Sequence, residues 1–180
     1  MIMKLKLLLE DVQQIKHLLS LVKQGKIQRI GAGYNGVVSQ IGDEPYVFKK
    51  TNERAETEVA SVIVGRESEF RTFIPVIYVN EEKNFFISKM ANPLPLQYVE
   101  MIDNFKDHFS KFAQQQETET SFFDYLDAEG ARNTEPVLVN FLRNLQQDII
   151  RTGIDELDLD IDFKSNNVMI YENRLIMIDW

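Results

Sequence analysis

Four polar side chains near the end of the 180-residue sequence have the types and spacing that phosphoryl transfer needs. Asp162, Lys164 and Asn167 fall in Asp162-Phe163-Lys164-Ser165-Asn166-Asn167-Val168-Met169, the pattern D-x-K-x-x-N running into a strand-like stretch. Twelve positions after Asn167, Asp179 closes a second apolar stretch, Leu175-Ile176-Met177-Ile178. Asp162 in a turn would orient an attacking hydroxyl and accept its proton, and Lys164 would neutralise charge developing on the transferred phosphoryl group. Asn167 and Asp179 offer hard oxygen ligands suited to magnesium. Calcium is the rival reading, because Asp158, Asp160 and Asp162 alternate as in an EF-hand loop. That reading fails because the required glycine does not follow and the twelfth position holds Met169 rather than Glu.

A second constellation lies far upstream. Gly31-Ala32-Gly33-Tyr34-Asn35-Gly36-Val37-Val38 matches G-x-G-x-x-G-x-V. The same spacing opens a dinucleotide-binding helix, but Val37, Val38 and Ile41 favour continuation as a strand. A strand–glycine turn–strand unit aims backbone N–H groups at phosphates, and its glycines permit close approach. An ordinary hairpin with convenient glycines is the bland alternative. The next strand supplies Tyr46-Val47-Phe48-Lys49, where period-two alternation sets Val47 and Lys49 on one face and turns Lys50 to the other. A lysine under such a loop can pair with nucleotide phosphates if a carboxylate holds it. Glu56 is the leading candidate, since Val59, Ala60 and Ile63 follow it at helical steps; Glu58, with Val62 on its face, is the weaker one.

These residues need elements to carry them. Leu8, Val12, Ile15, Leu19 and Val22 form a helical stripe that stops at Gly25. Residues 27–41 and 46–50 read as β-structure about the turn Gly42-Asp43-Glu44-Pro45, and residues 52–69 read as helix. Residues 75–79 and 84–88 read as a strand pair, and Ala91-Asn92-Pro93-Leu94-Pro95 reads as a connector. Ile102, Phe105, Phe109 and Phe112 mark one further helix, and Leu138, Leu142, Leu145 and Ile149 another that ends near Gly153. Residues 114–120 read as loop, and residues 167–171 and 174–178 as two strands about Glu172-Asn173.

Composition narrows the classes. Hydrophobic residues make up 44% of the chain and aromatics 11%, enough for a packed core. A net charge of −8 argues against nucleic-acid or anionic-membrane binding, both of which need clustered Lys and Arg. There is no cysteine, which excludes disulfides, thiolate metal sites and a cysteine nucleophile. His17 and His108 sit on or beside helical stripes and suggest no Ser-His-Asp arrangement. The N-terminal apolar run, 7–9, is too short for a signal peptide, and no stretch approaches the ~20 residues that cross a bilayer. A cytoplasmic protein is expected.

Taken together, these motifs resemble the protein kinase-like superfamily over residues 29–180. The resemblance implies an α+β, bilobal fold. It places an N-terminal helical extension at 1–26, a small antiparallel-sheet lobe at 27–90, and a reduced, mostly helical lobe at 91–180 ending at the metal-binding Asp. It implies ATP and Mg2+ as cofactors. Gly31, Gly33, Gly36, Val38, Val47, Lys49, Lys89 and Ala91 would surround the nucleotide, with Ser88 near the gatekeeper position. Asp162, Lys164, Lys49 and Glu56 would serve catalysis, and Asn167 and Asp179 would hold the metal. Lys164 matches Ser/Thr protein kinases, whereas aminoglycoside phosphotransferases usually lack a lysine at that step.

Departures from the family pattern are specific. Asp160-Ile161 stands where His-Arg usually precedes the catalytic Asp, and Asp179-Trp180 replaces the start of Asp-Phe-Gly, with no activation segment in the sequence. The expectation is a minimal Ser/Thr protein kinase of the bacterial-effector or phage kind, with a protein substrate or an activating protein partner. A pseudokinase-like binding module and a small-molecule kinase are the alternatives.

Overall fold

Alternating residues from Ile27 onward form three successive antiparallel strands in the computed structural model, which describes residues 2–33, 36–116, 121–153 and 163–179. The chain divides into two units, Met1–Glu67 with Pro75–Met90, and Ser68–Ile74 with Ala91–Trp180. The fold is α+β. Among the described residues no helix is long and apolar enough to cross a membrane.

Among the described residues the first unit is a five-stranded antiparallel sheet with two α-helices. After α1 (Ile2–Lys23) come β1 (Ile27–Gly33), β2 (Gly36–Ile41), β3 (Tyr46–Thr51), α2 (Arg54–Ile63), β4 (Val76–Asn80) and β5 (Phe85–Lys89). The strand order is β1-β2-β3-β5-β4, so α2 carries the chain from β3 to the far edge and β5 returns to fill the gap. Residues opposite each other across a strand pair share a face. Ile41, Phe48 and Ile87 share one face and pack with Leu18, Leu19, Leu21 and Val22 of α1. Lys49 and its partners Val38 and Phe86 lie on the other, toward which α2 turns Glu56, Val59, Ala60 and Ile63.

Two elements differ from the sequence reading. Among the described residues of α1, Leu18 is buried, while Val12 of the expected stripe is 45% exposed. Among the described residues of the helix, Leu18, Leu19, Leu21 and Val22 in its last turns pack against the sheet. The expected helix at 52–69 ends at Ile63, because Val64 leaves helical geometry and Gly65 takes the left-handed φ of +68° while its N–H bonds the Val76 carbonyl at 3.0 Å.

The second unit is built on α3 (Leu96–Ala113) and α6 (Pro136–Thr152), with the hairpin β6 (Val168–Tyr171) and β7 (Arg174–Met177). Pro136 opens α6 and Gly153, at φ +68°, closes it. Between the long helices lie α4 (Phe122–Tyr125), a π-helical turn (Leu126–Gly130) and α5 (Ala131–Asn133). Ser121 and Asp124 form a reciprocal capping box that starts α4. Tyr125 lies so close to Gly130 that a Cβ there would stand 2.6 Å from the ring, so the turn needs glycine. Phe105, Phe122 and Phe141 gather around Phe163 at centroid distances of 5.9, 5.8 and 6.2 Å. The segment Ser68–Ile74 joins this unit by pairing alongside Met177 at the end of β7.

Candidate functional site

The upstream candidates assemble around one transverse row of the sheet. Gly31 opposes Val38, Val38 opposes Lys49, and Lys49 opposes Phe86. Gly33 opposes Gly36 at the end of the hairpin, whose tip, Tyr34-Asn35, lies outside the described residues. Gly36 is the glycine the packing demands. A Cβ there would meet the Lys50 carbonyl oxygen at 2.2 Å and the Thr51 Cα at 2.9 Å, so β2 and β3 approach as only glycine permits.

Lys49 sits in this row with its charge removed from water. It is 6% exposed, and its Nζ lies 2.5 Å from Oε1 of Glu56, which is 0% exposed. The ammonium also stands 5.9 Å from the Phe86 ring centroid. Glu58, the other carboxylate considered for this role, instead pairs on the surface with Arg54 at 2.9 Å. Local sequence explains the difference. Glu56 shares the helix face of Val59, Ala60 and Ile63, all buried, whereas Glu58 points away from it. Lys50 is exposed and donates to the Lys83 carbonyl at 3.4 Å. Val47 is half-buried two residues before Lys49, on the same face.

Lys89 closes β5 opposite Tyr46, donating to its hydroxyl at 2.9 Å with the ammonium 4.6 Å from the ring centroid. Its side chain is therefore engaged at the ends of two inner strands, on the sheet face away from Lys49. Ala91 is half-buried and belongs to the second unit.

The downstream candidates lie in the second unit. Asp162 is outside the described residues; its neighbour Phe163 is buried in the aromatic group. Lys164 caps a single 3-10 turn, Ser165–Asn167, in which the Asn167 N–H bonds the Lys164 carbonyl at 2.9 Å. The Asn167 carbonyl in turn accepts from the Ile178 N–H at 3.0 Å. That bond brings the backbone of Asn167 beside the residue preceding Asp179, although twelve positions separate the two in sequence. Asn167 is buried and Asp179 half-buried.

The donor chemistry of this pair fits magnesium, which is commonly bound by one or two carboxylates with waters and substrate phosphates completing its shell. Among the described residues no group of three or more His, Cys, Asp or Glu could hold a metal ion by itself. The acidic run considered for calcium, residues 158–162, lies outside the described residues.

An open groove of about 1120 Å3 runs between α3 and the start of α6, lined by Tyr98, Met101, His108, Arg132, Glu135 and Val137 among others. None of the candidate residues lines it. The sequence reading missed Phe86, packed under the Lys49 ammonium, and Asp148, buried on α6 against Thr72. A signal existed for the second: Asp148 interrupts the stripe of Leu138, Leu142, Leu145 and Ile149, where an acidic residue must find partners. Comparison with protein-family models, with curated proteins and with solved structures finds no match for this chain.

Proposed function

We propose that the chain is an ATP- and magnesium-dependent phosphotransferase of the protein kinase-like superfamily, transferring the γ-phosphate of ATP to a Ser or Thr hydroxyl of a protein. The observation that carries this reading is the buried Lys49–Glu56 pair, held on the sheet face behind the glycine hairpin. A buried ion pair is rarely worth its desolvation for stability alone, which favours a functional reason for keeping it. The order of the five-stranded sheet, with the glutamate-bearing helix between β3 and β4, supports the small lobe of a bilobal kinase-like fold.

Each residue then has a task. Glu56 holds the Lys49 ammonium in place, where it meets nucleotide phosphates, and the N–H groups of the glycine hairpin cover them. Asn167 and Asp179 would hold magnesium, which supplies charge neutralisation on the phosphate oxygens. Asp162 orients the acceptor hydroxyl and takes its proton. The hydroxyl oxygen forms its bond to the γ-phosphorus as the bond to the bridging oxygen breaks, and ADP leaves with that electron pair. Lys164 stabilises the charge on the phosphoryl group in flight.

Thermal-shift titration with ATP and magnesium, on wild type, Lys49→Ala and Asp179→Ala, tests the reading. A magnesium-dependent shift in wild type that is lost in both folded variants supports it. Absence of any shift in wild type would overturn it in favour of a binding module. Phosphate transfer to a panel of protein and small-molecule acceptors, abolished in folded Asp162→Ala, then separates a protein kinase from a small-molecule kinase.

A further inference from the structure

The second unit buries a carboxylate that no step above uses. Asp148 of α6 is 1% exposed. Its Oδ2 accepts from the Thr72 backbone N–H at 2.9 Å and from the Thr72 hydroxyl at 2.8 Å. Its Oδ1 accepts from Arg151 Nη1 at 3.1 Å, and the same nitrogen donates to the Glu69 carbonyl at 3.2 Å. Helix α6 thus grips the segment at residues 69–72 from two points. Burying a carboxylate is costly unless donors replace its water, and here three do.

The grip continues toward the proposed metal ligands. The Met177 N–H donates to the Thr72 carbonyl at 2.6 Å, and the Ile74 N–H donates to the Met177 carbonyl at 3.0 Å. Phe73 and Met177 so form a parallel bridge, and both are almost wholly buried. Met177 ends β7. The next residue, Ile178, bonds the Asn167 carbonyl, and Asp179 follows it. A continuous set of hydrogen bonds therefore leads from Asp148, through Thr72 and Met177, to the backbone that carries Asn167 and Asp179.

We propose that Asp148 and Thr72 are positioning residues for the metal-holding pair: clasping the segment at 69–74 onto the end of β7, they set the register of Asp179 against Asn167. The proposal rests on the phosphotransferase reading above. A clasp that only stabilised the unit would change the melting temperature and leave metal affinity in the folded protein untouched.

The test measures Mn2+ binding to the full chain by electron paramagnetic resonance, with a non-hydrolysable ATP analogue present and each protein well below its melting temperature. Amide hydrogen exchange at Ile74 and Met177 is followed in parallel. Thr72→Val and Asp148→Asn are expected to weaken Mn2+ binding about tenfold, the usual scale for groups that orient metal ligands, and to speed exchange at Met177. Thr72→Ser, which keeps the hydroxyl, is expected to retain wild-type affinity. Leu138→Ala, at the other end of α6, is expected to lower stability and leave affinity unchanged. Should Asp148→Asn fail to fold, Thr72→Val carries the test, since it removes one of the three donors and keeps the side-chain shape. Unchanged affinity in either folded variant, or an equal loss in Leu138→Ala, overturns the positioning role and leaves the phosphotransferase reading standing. A wild type that binds no Mn2+ with the analogue overturns that reading and the positioning role with it.

Discussion

Lys49 and Glu56 set a sharp condition on stability, because each is buried and each carries a formal charge. Removing one partner of such a pair leaves the other charge in a poorly solvating interior, a cost of about 3–5 kcal/mol, whereas replacing both by apolar groups of similar size is often neutral or stabilising. Glu56→Gln is therefore expected to lower the unfolding free energy by about 3–5 kcal/mol. Lys49→Met combined with Glu56→Leu is expected to recover most of that loss while failing to bind nucleotide. Urea unfolding of the two variants and wild type checks the first half, and a nucleotide titration the second. A double variant as unstable as Glu56→Gln would mean that the pair stabilises the packing of α2 and is not kept for chemistry. The inward turn of Glu56 was legible in the sequence, because Val59, Ala60 and Ile63 mark the helix face it shares. The clasp of Asp148 on Thr72 was not, since its partners are 76 positions apart and no local pattern couples them.

Among the elements, legibility followed length and the number of buried faces. The strands about the glycine hairpin and helix α6 have several periods of alternation or stripe, and capping residues such as Gly153 mark their ends. Helix α4, the π turn and α5 are three to five residues each, too short to repeat a helical period that could announce them. Helix α1 shows a subtler limit. Among its described residues, Leu18, which lies beside the expected stripe rather than on it, is fully buried, Ile15, Leu19 and Val22 of the stripe are half-buried, and Val12 is exposed. Leu18 packs with Ile41 and Ile87 on the sheet face away from Lys49. Truncation there should leave a cavity: Leu18→Ala is expected to cost about 2–5 kcal/mol. Val12→Ala truncates an exposed surface side chain and should stay within about 0.5 kcal/mol of wild type. Thermal or urea unfolding of the pair decides whether α1 is an integral layer of this unit. Equal, small effects would make it a loosely attached appendage.

At the scale of the whole chain, the unit boundaries do not follow the sequence in one pass. Ser68–Ile74 lies between α2 and β4 in sequence but belongs to the unit that otherwise begins at Ala91. The segment supplies Phe70, Phe73 and Ile74, all buried, and it satisfies the Asp148 carboxylate and the backbone of Met177. A fragment of residues 91–180 would therefore retain α3, α6 and the β6–β7 hairpin in sequence yet lack part of its own core. The buried carboxylate alone, stripped of Thr72, would lose two of its three donors, at about 1–3 kcal/mol for each polar group left unsatisfied. Losing two buried Phe and one Ile side chain adds several kcal/mol more on the same scale as large-to-small core substitutions. Those losses together rival the ~5–15 kcal/mol that stabilise a typical domain. The fragment 91–180 is expected to show helical far-ultraviolet circular dichroism with no cooperative thermal transition. A fusion that places residues 66–76 ahead of it through a flexible linker should restore a cooperative transition. If the bare fragment instead melts cooperatively, the buried contacts of the segment contribute little and the clasp at Thr72 is dispensable to the fold. If neither version folds, the unit depends on more of the chain than the segment that packs within it.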